Sequence, residues 1–194
     1  RIGFGYRSPV THHLDGNASF GLGGDVGAGV AAATGAFRNT GVSSELRLPP
    51  NVYLGVQQEL GHGVTVYGDV NWMGWSRLKD LTYTFDNPDQ PDAETALPWK
   101  DSLFAALGMS WQATERLTLR AGAAWDQTPA RGDGAATPAI PDGDAYWLAS
   151  GAGYRLTDSM TLDAALGATF TESVDVDLSA TMPGNAFRGD FAGQ

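Results

Sequence analysis

"LTLRAGAAWDQTP", residues 117–129, decides how the chain is read. Leu119, Ala121, Ala123 and Trp125 occupy every second position, with Arg120, Gly122, Ala124 and Asp126 between and after them. A period of two marks a strand, whose successive side chains point to opposite faces. One face is apolar and ends in a tryptophan. The other is small, with an arginine and an aspartate. The fold depends on what each face looks at.

The same two-faced pattern recurs along the chain, in about seven strand-like segments separated by turn signals. In "RIGFGYRSPVTHHL", Ile2, Phe4 and Tyr6 share one face, opposite Arg1, Gly3, Gly5 and Arg7. "VSSELRLPPNVYLGVQQEL" alternates on both sides of Pro49 and Pro50, where a bend or bulge is expected because proline cannot donate to a ladder. "VTVYGDVNWMGWSRL", "WKDSLFAALGMSWQ", "AYWLASGAGYRL" and "MTLDAALGATF" continue the pattern. In "WKDSLFAALGMSWQ" the inner set is Lys100, Ser102, Phe104, Ala106, Gly108 and Ser110.

The connections alternate in length. "LGHG", "ATER" and "TDS" are short turns, whereas 21–41, 86–98 and 129–144 are long loops. The Gly/Ala-rich stretch "GLGGDVGAGVAAATGAF" is expected to be a flexible loop. Short turns at one end and long loops at the other are the asymmetry of outer-membrane barrels. The strands have roughly the 9–11 alternating residues that a tilted strand needs to cross hydrocarbon. Tyr6, Trp111, Trp125 and Tyr154 fall on the apolar faces near strand ends, as interfacial girdles require. The expected fold is therefore all-β, an antiparallel transmembrane β-barrel whose apolar face looks at lipid and whose Arg120 and Asp126 look into a lumen. A soluble β-sandwich or lipocalin-like barrel, with the apolar face turned inward, fits the turn asymmetry and the small inner faces poorly.

Composition agrees. Charged residues make up 18% of the 194, below the roughly 25% of a usual soluble domain. No run reaches the roughly 20 apolar residues of a membrane helix, a test that is blind to barrels. A net charge of −10 argues against nucleic acid as a partner. With no cysteine there is no disulfide framework and no thiolate metal site. A sheet in lipid must close to pair its backbone, and bacterial single-chain barrels usually have an even strand number. About seven strands opening in mid-strand at "RIGFGYRS" are thus expected to be part of a barrel, from a fragment or processed product.

The ordered segments "YRSPV", "LRLPPNVYLGV", "VNWMGWSRL", "WKDSLFAALGMSW", "LTLRAGAAWDQTP", "IPDGDAYWLASGAGYRL" and "MTLDAALGATF" resemble the FadL (OmpP1/FadL/TodX) family of outer-membrane long-chain fatty acid and hydrocarbon transporters. The resemblance implies a barrel of about 14 strands with an N-terminal hatch inside it, of which residues 1–194 are roughly the C-terminal half. The hatch and the final strand are expected to be missing, since "SVDVDLSATMPGNAFRGDFAGQ" stops where a last hairpin would return. It also implies passive uptake across the bacterial outer membrane. A hydrophobic ligand is caught between external loops, passes into a lumenal pocket where basic residues meet a carboxylate, and leaves sideways into the bilayer. A fatty acyl chain gains about 0.8 kcal/mol per CH₂ buried in lipid, which makes lateral exit favourable. The family's pocket lysine would fall inside "DAETALP", where no Lys stands. Implied partners are the ligand, outer-membrane lipid and lipopolysaccharide, with a monomeric protein.

Candidate ligand-binding residues are lumenal. Lys100, beside Asp101, has the charge to hold a carboxylate or to brace the barrel by an ion pair. Arg7, Arg120 and Asp126 suit lumenal networks with neighbouring strands. Phe104 places an apolar ring where a water-filled pore commonly has charge. Trp75 and Trp147 read as inward, lining a ligand path or packing the lumen. His12 and His13 are adjacent and face opposite ways on a strand, and His62 lies in a turn, so no metal or cofactor site is expected. No serine sits in a His-paired context, so no catalytic residue is assigned. The competing functions are a general water-filled porin, which would show dense rings of lumenal charge, an outer-membrane lipase-type enzyme, and an adhesive or purely structural barrel.

Overall fold

The computed structural model describes residues 1–131, 142–177 and 188–191. Seven strands form one antiparallel sheet: β1 (Ile2–Arg7), β4 (Asn51–Gly61), β5 (Val64–Met73), β8 (Ser102–Gln112), β9 (Leu117–Asp126), β10 (Ala145–Thr157) and β11 (Met160–Thr171), hydrogen-bonded in that order. Four further strands, β2 (Val10–Ala18), β3 (Thr40–Leu48), β6 (Asp80–Phe85) and β7 (Ala93–Ala96), make a second sheet. β12 (Val174–Asp177) and β13 (Arg188–Phe191) pair with each other apart from both sheets. The rest of the terminal stretch, and the middle of the 129–144 loop, lie outside the described residues.

Register settles which faces are shared. Phe4 pairs with Leu54, Leu54 with Val70, Val70 with Ala105, Ala105 with Trp125, Trp125 with Tyr146 and Tyr146 with Phe170. That row carries apolar residues across all seven strands. The parallel row one residue away runs Gly5, Tyr53, Asn71, Phe104, Asp126, Ala145 and Thr171. Large apolar side chains on that face are exposed rather than gathered into a core: Leu166 is 81% exposed, Ile2 78% and Leu107 73%. The hydrophobic residues that are buried among those described, Ala31, Ala36, Leu78, Leu97 and Ala130, all lie outside the seven strands. A soluble sandwich would hide the apolar rows; here they form the outer, lipid-facing surface, and the small polar rows face a lumen. Tyr146 and Tyr154 stand eight residues apart on β10, about 27 Å along the strand. With the usual tilt, that spacing brackets a hydrocarbon band on the order of 20–25 Å.

The short turns close tightly. Between β4 and β5 the loop is His62-Gly63, with φ of 52° and 76°, the left-handed pair that a two-residue hairpin demands. Thr114 Oγ1 accepts the N–H groups of Arg116 and Leu117 in the β8–β9 turn.

The long connections are structured rather than slack. β1 runs on into β2, and β3 into β4, because the register Val10–Leu48 leads without slip into Arg7–Asn51. Ser8-Pro9 and Pro49-Pro50 interrupt the two strands of this long hairpin at the same level. The ladder is interrupted at Pro49 and Pro50, where a bend or bulge is expected, without the register slip of a bulge, and Pro9 stands opposite. Beyond that level the hairpin belongs to the second sheet, with β2 at its edge and β3 pairing on to β6. The expectation of a flexible loop at 21–41 is corrected: Gly24–Thr34 is a helix, α1, closed by Gly35 in the left-handed conformation, whose N–H donates to the Ala31 carbonyl. Its alanines favour a helix enough to override the glycine signal. The acidic loop also contains order, since β7 pairs with β6. The two loops hold each other: Asn87 Nδ2 donates to the Gly35 carbonyl at 3.0 Å, and the Phe37 N–H donates to Gln90 Oε1 at 2.8 Å. Phe20 packs edge-on against Phe37 with ring centres 5.7 Å apart.

Candidate functional site

Four strands of the large sheet end at the long-loop side around a cavity of about 280 Å³. β5 contributes Met73 and, through the 3-10 turn Trp75–Arg77, the indole of Trp75. Trp99 and Ser102 come from the entry to β8; Asp126, Gln127, Thr128 and Pro129 from the end of β9; Asp142, Gly143 and Ala145 from the entry to β10. Trp75 and Trp99 meet edge to face, their centres 5.4 Å apart at 83°. This geometry suits the aromatic quadrupole and leaves apolar ring surface turned to the cavity.

The wall is held by a closed set of hydrogen bonds. Asp144 accepts the Thr128 N–H on one carboxylate oxygen (2.9 Å) and Trp125 Nε1–H on the other (3.0 Å). Thr128 Oγ1 donates to Asp142 Oδ2 at 2.6 Å. The Gln127 N–H reaches the Leu103 carbonyl, and the Lys100 N–H the Pro129 carbonyl, each at 2.9 Å. The Ser76 N–H donates to Asp101 Oδ1 at 3.0 Å, and the Arg131 guanidinium donates to the Asp101 carbonyl. A site tied down at so many points is shaped before any ligand arrives, which lowers the cost of binding.

Two polar groups in this wall stand apart. Ser102 is 1% exposed, and its Oγ has no hydrogen-bond partner. Asp126 lines the cavity, and the charged groups facing it are the carboxylates of Asp142 and Asp144. Among the described residues no cation lies within ion-pair distance of Asp126.

The candidate residues from the sequence are only partly brought together. Trp75 and Asp126 line the cavity, and Phe104 sits directly beside Asp126 on the neighbouring strand. Trp147 is on the same lumenal face one rung deeper, paired with Ala124. Arg7 ends β1 in the row that continues through Asn51, Met73 and Ser102, so it stands at the same level some strands away. Lys100 precedes the first residue of β8, is exposed and does not line the cavity; it forms no ion pair with Asp101. Arg120 lies far below, near the short turns, bonded to Asp163 Oδ1 at 2.8 Å. Met73, Trp99, Ser102, Thr128 and Asp142 were not singled out by the sequence. Trp99, Thr128 and Asp142 stand in loops with no period to betray them, and Met73 and Ser102 are end residues of β5 and β8 with nothing local to mark them as wall residues, although the Trp99-Lys100-Asp101 run at a strand entrance was a usable sign.

The comparisons agree with this architecture. The family model for outer membrane protein transport proteins (OMPP1/FadL/TodX) matches residues 1–194. Outer membrane protein P1 of Haemophilus influenzae is 34% identical over 118 residues, 61% of this chain and 25% of that protein. The long-chain fatty acid transport protein of Escherichia coli is 24% identical over 180 residues, 91% of this chain and 40% of that protein. The crystal structure of a Pseudomonas aeruginosa FadL homologue superposes with a TM-score of 0.75 at 27% identity, covering 91% of this chain and 42% of that one. The chain thus spans between a quarter and about two fifths of the length of these relatives. With an apolar row facing lipid, a small polar row facing a lumen and a family match along its whole length, the chain belongs to the OMPP1/FadL/TodX family of outer membrane transport proteins.

Proposed function

We propose that the protein takes up hydrophobic small molecules passively across the outer membrane. The observation that carries this reading is the preshaped cavity at the outer end of the lumen, walled by Met73, Trp75 and Trp99 beneath the structured loops. A water-filled porin needs lumenal charge; a greasy path needs apolar surface at the entrance and little charge below it. On the lumenal rows of β9, β10 and β11, glycine, alanine and threonine predominate, and Arg120–Asp163 is the ion pair found there.

In this reading the outer sheet and α1 gather the ligand, and the Trp75–Trp99 pair receives it. Phe104 and Trp147 line the next step down. Asp126 sets the polarity of the entrance, Arg7 and Lys100 stand at its rim, and Arg120 braces the far end of the wall. Exit sideways into the bilayer is favoured because each CH₂ moved into hydrocarbon is worth about 0.8 kcal/mol. The apolar rows contact outer-membrane lipid and lipopolysaccharide, and no step requires a cofactor. The sequence of the E. coli relative, named for long-chain fatty acid transport, supports the hydrophobic class of cargo.

The test is a titration of the full-length protein in detergent with a long-chain fatty acid and, separately, an alkane of equal length, followed by tryptophan fluorescence. Saturable binding of either supports uptake. Binding of neither, together with steady salt conductance in planar bilayers, overturns it in favour of a porin.

A further inference from the structure

The entrance cavity combines apolar ring surface with acid and without base. Met73, Trp75 and Trp99 supply the body of the wall, while Asp126 and Asp142 supply its charge. The cations on the same loops are Arg77, Lys79, Lys100 and Arg131, and none of them lines the cavity. Arg131 is turned to the Asp101 carbonyl instead. Asp142 is committed to Thr128 and Asp144 to Thr128 and Trp125, which leaves Asp126 as the cavity carboxylate with neither ion-pair nor hydrogen-bond partner among the described residues. The second observation is independent of the charge. Ser102 Oγ is buried in the same wall with its hydrogen-bonding capacity unused, a costly arrangement unless an occupant meets it.

We infer that the cavity selects hydrophobic molecules bearing a protonated amine, over those bearing a carboxylate. This rests on the uptake reading and names the cargo class for the same site. The apolar body lies against Trp75 and Trp99, whose ring faces also attract a cation. The ammonium donates to Asp126 and to Ser102 Oγ, and so satisfies both unpartnered groups at once. A carboxylate in the same place faces two or three negative charges in a partly dry site, where like charges repel strongly.

The test compares phenylpropylamine, phenylpropanol and phenylpropanoate, three ligands with one body and three head groups. Each is titrated near neutral pH into the full-length protein in a non-ionic detergent, by calorimetry and tryptophan fluorescence. The amine is expected to bind at least about tenfold more tightly than the carboxylate, with the alcohol between them. Asp126→Asn is expected to cut the amine's advantage over the alcohol to about twofold or less. A carboxylate that binds as tightly as the amine overturns the inference, as does an Asp126→Asn protein that keeps the amine's advantage. If the variant does not insert, the three-ligand series on the unchanged protein decides alone. An alkane that binds while amine and alcohol bind equally weakly sinks the amine preference and leaves uptake standing. Failure of every hydrophobic ligand sinks the uptake reading and this inference with it.

Discussion

Arg120 on β9 is bonded to Asp163 on β11 across the strand that separates them. Nη1 and Oδ1 are 2.8 Å apart, and the bridge passes over Gly153 of β10. A Cβ on Gly153 would lie 2.6 Å from Asp163 Oδ1 and 3.2 Å from Arg120 Nη1. The glycine therefore makes room for the pair, and the pair ties three strands together near the short turns.

Because both side chains are more than half exposed, the bridge itself is worth little. A double-mutant cycle with Arg120→Ala and Asp163→Ala should give a coupling of about 1 kcal/mol or less. Gly153→Val should lower the melting temperature more than either alanine, since a branched side chain displaces both partners from the wall. Thermal unfolding of the full-length protein in detergent measures all three. Ligand affinity at the distant entrance should not change in any of them, and a loss there would contradict a bracing role.

The hairpin turn between β4 and β5 gives a sharper case. Gly63 has a φ of 76°, and a Cβ there would meet the Gln112 carbonyl oxygen at 2.9 Å. Gly63→Ala is strained by backbone conformation and by contact at once. His62, also left-handed at 52°, should accept asparagine, which tolerates that region well. Refolding into detergent is the measurement: the yield of folded barrel should drop for Gly63→Ala and hold or rise for His62→Asn. Equal yields would mean that the turn does not set the register.

Facing is testable by charge. Leu107 stands on the lipid row between Gly68 and Ala123, whereas Ala106, its neighbour, stands on the lumenal row between Asp69 and Ala124. An arginine at the bilayer midplane costs about 2–4 kcal/mol on the lipid face of a barrel. Leu107→Arg should reduce insertion into vesicles well below that of Ala106→Ser. If the two insert alike, the faces have been assigned the wrong way round.

The strands were legible because a period of two survives any tertiary context, and residues 117–126 carry it without interruption. Turn lengths likewise told the two ends of the sheet apart. The long loops were opaque for a physical reason: their order comes from contacts distant in sequence. Helix α1 hides in glycine, and its loop is fastened by Asn87 and Gln90, roughly fifty residues away. The entrance cavity was half legible. Trp75 and Asp126 stood at the ends of readable strands, but Asp142 reaches the wall through Thr128, and no local pattern announces that.

Ser102 separates stability from binding. Its hydroxyl is buried without a partner, so the folded protein has lost the hydration of that group and gained nothing for it. Removing such a group relieves a penalty of about 1–3 kcal/mol, set against a small loss of packing. Ser102→Ala should therefore melt at the same temperature as the parent or higher in the absence of ligand. An amine or alcohol that uses the hydroxyl should bind several-fold more weakly to the same variant, by about 0.5–1.5 kcal/mol for one hydrogen bond, while an alkane should bind as before. Melting curves and calorimetric titrations on one preparation decide it. A variant that is destabilised, or that weakens alkane and amine equally, would show that Ser102 supports the wall rather than meeting the ligand.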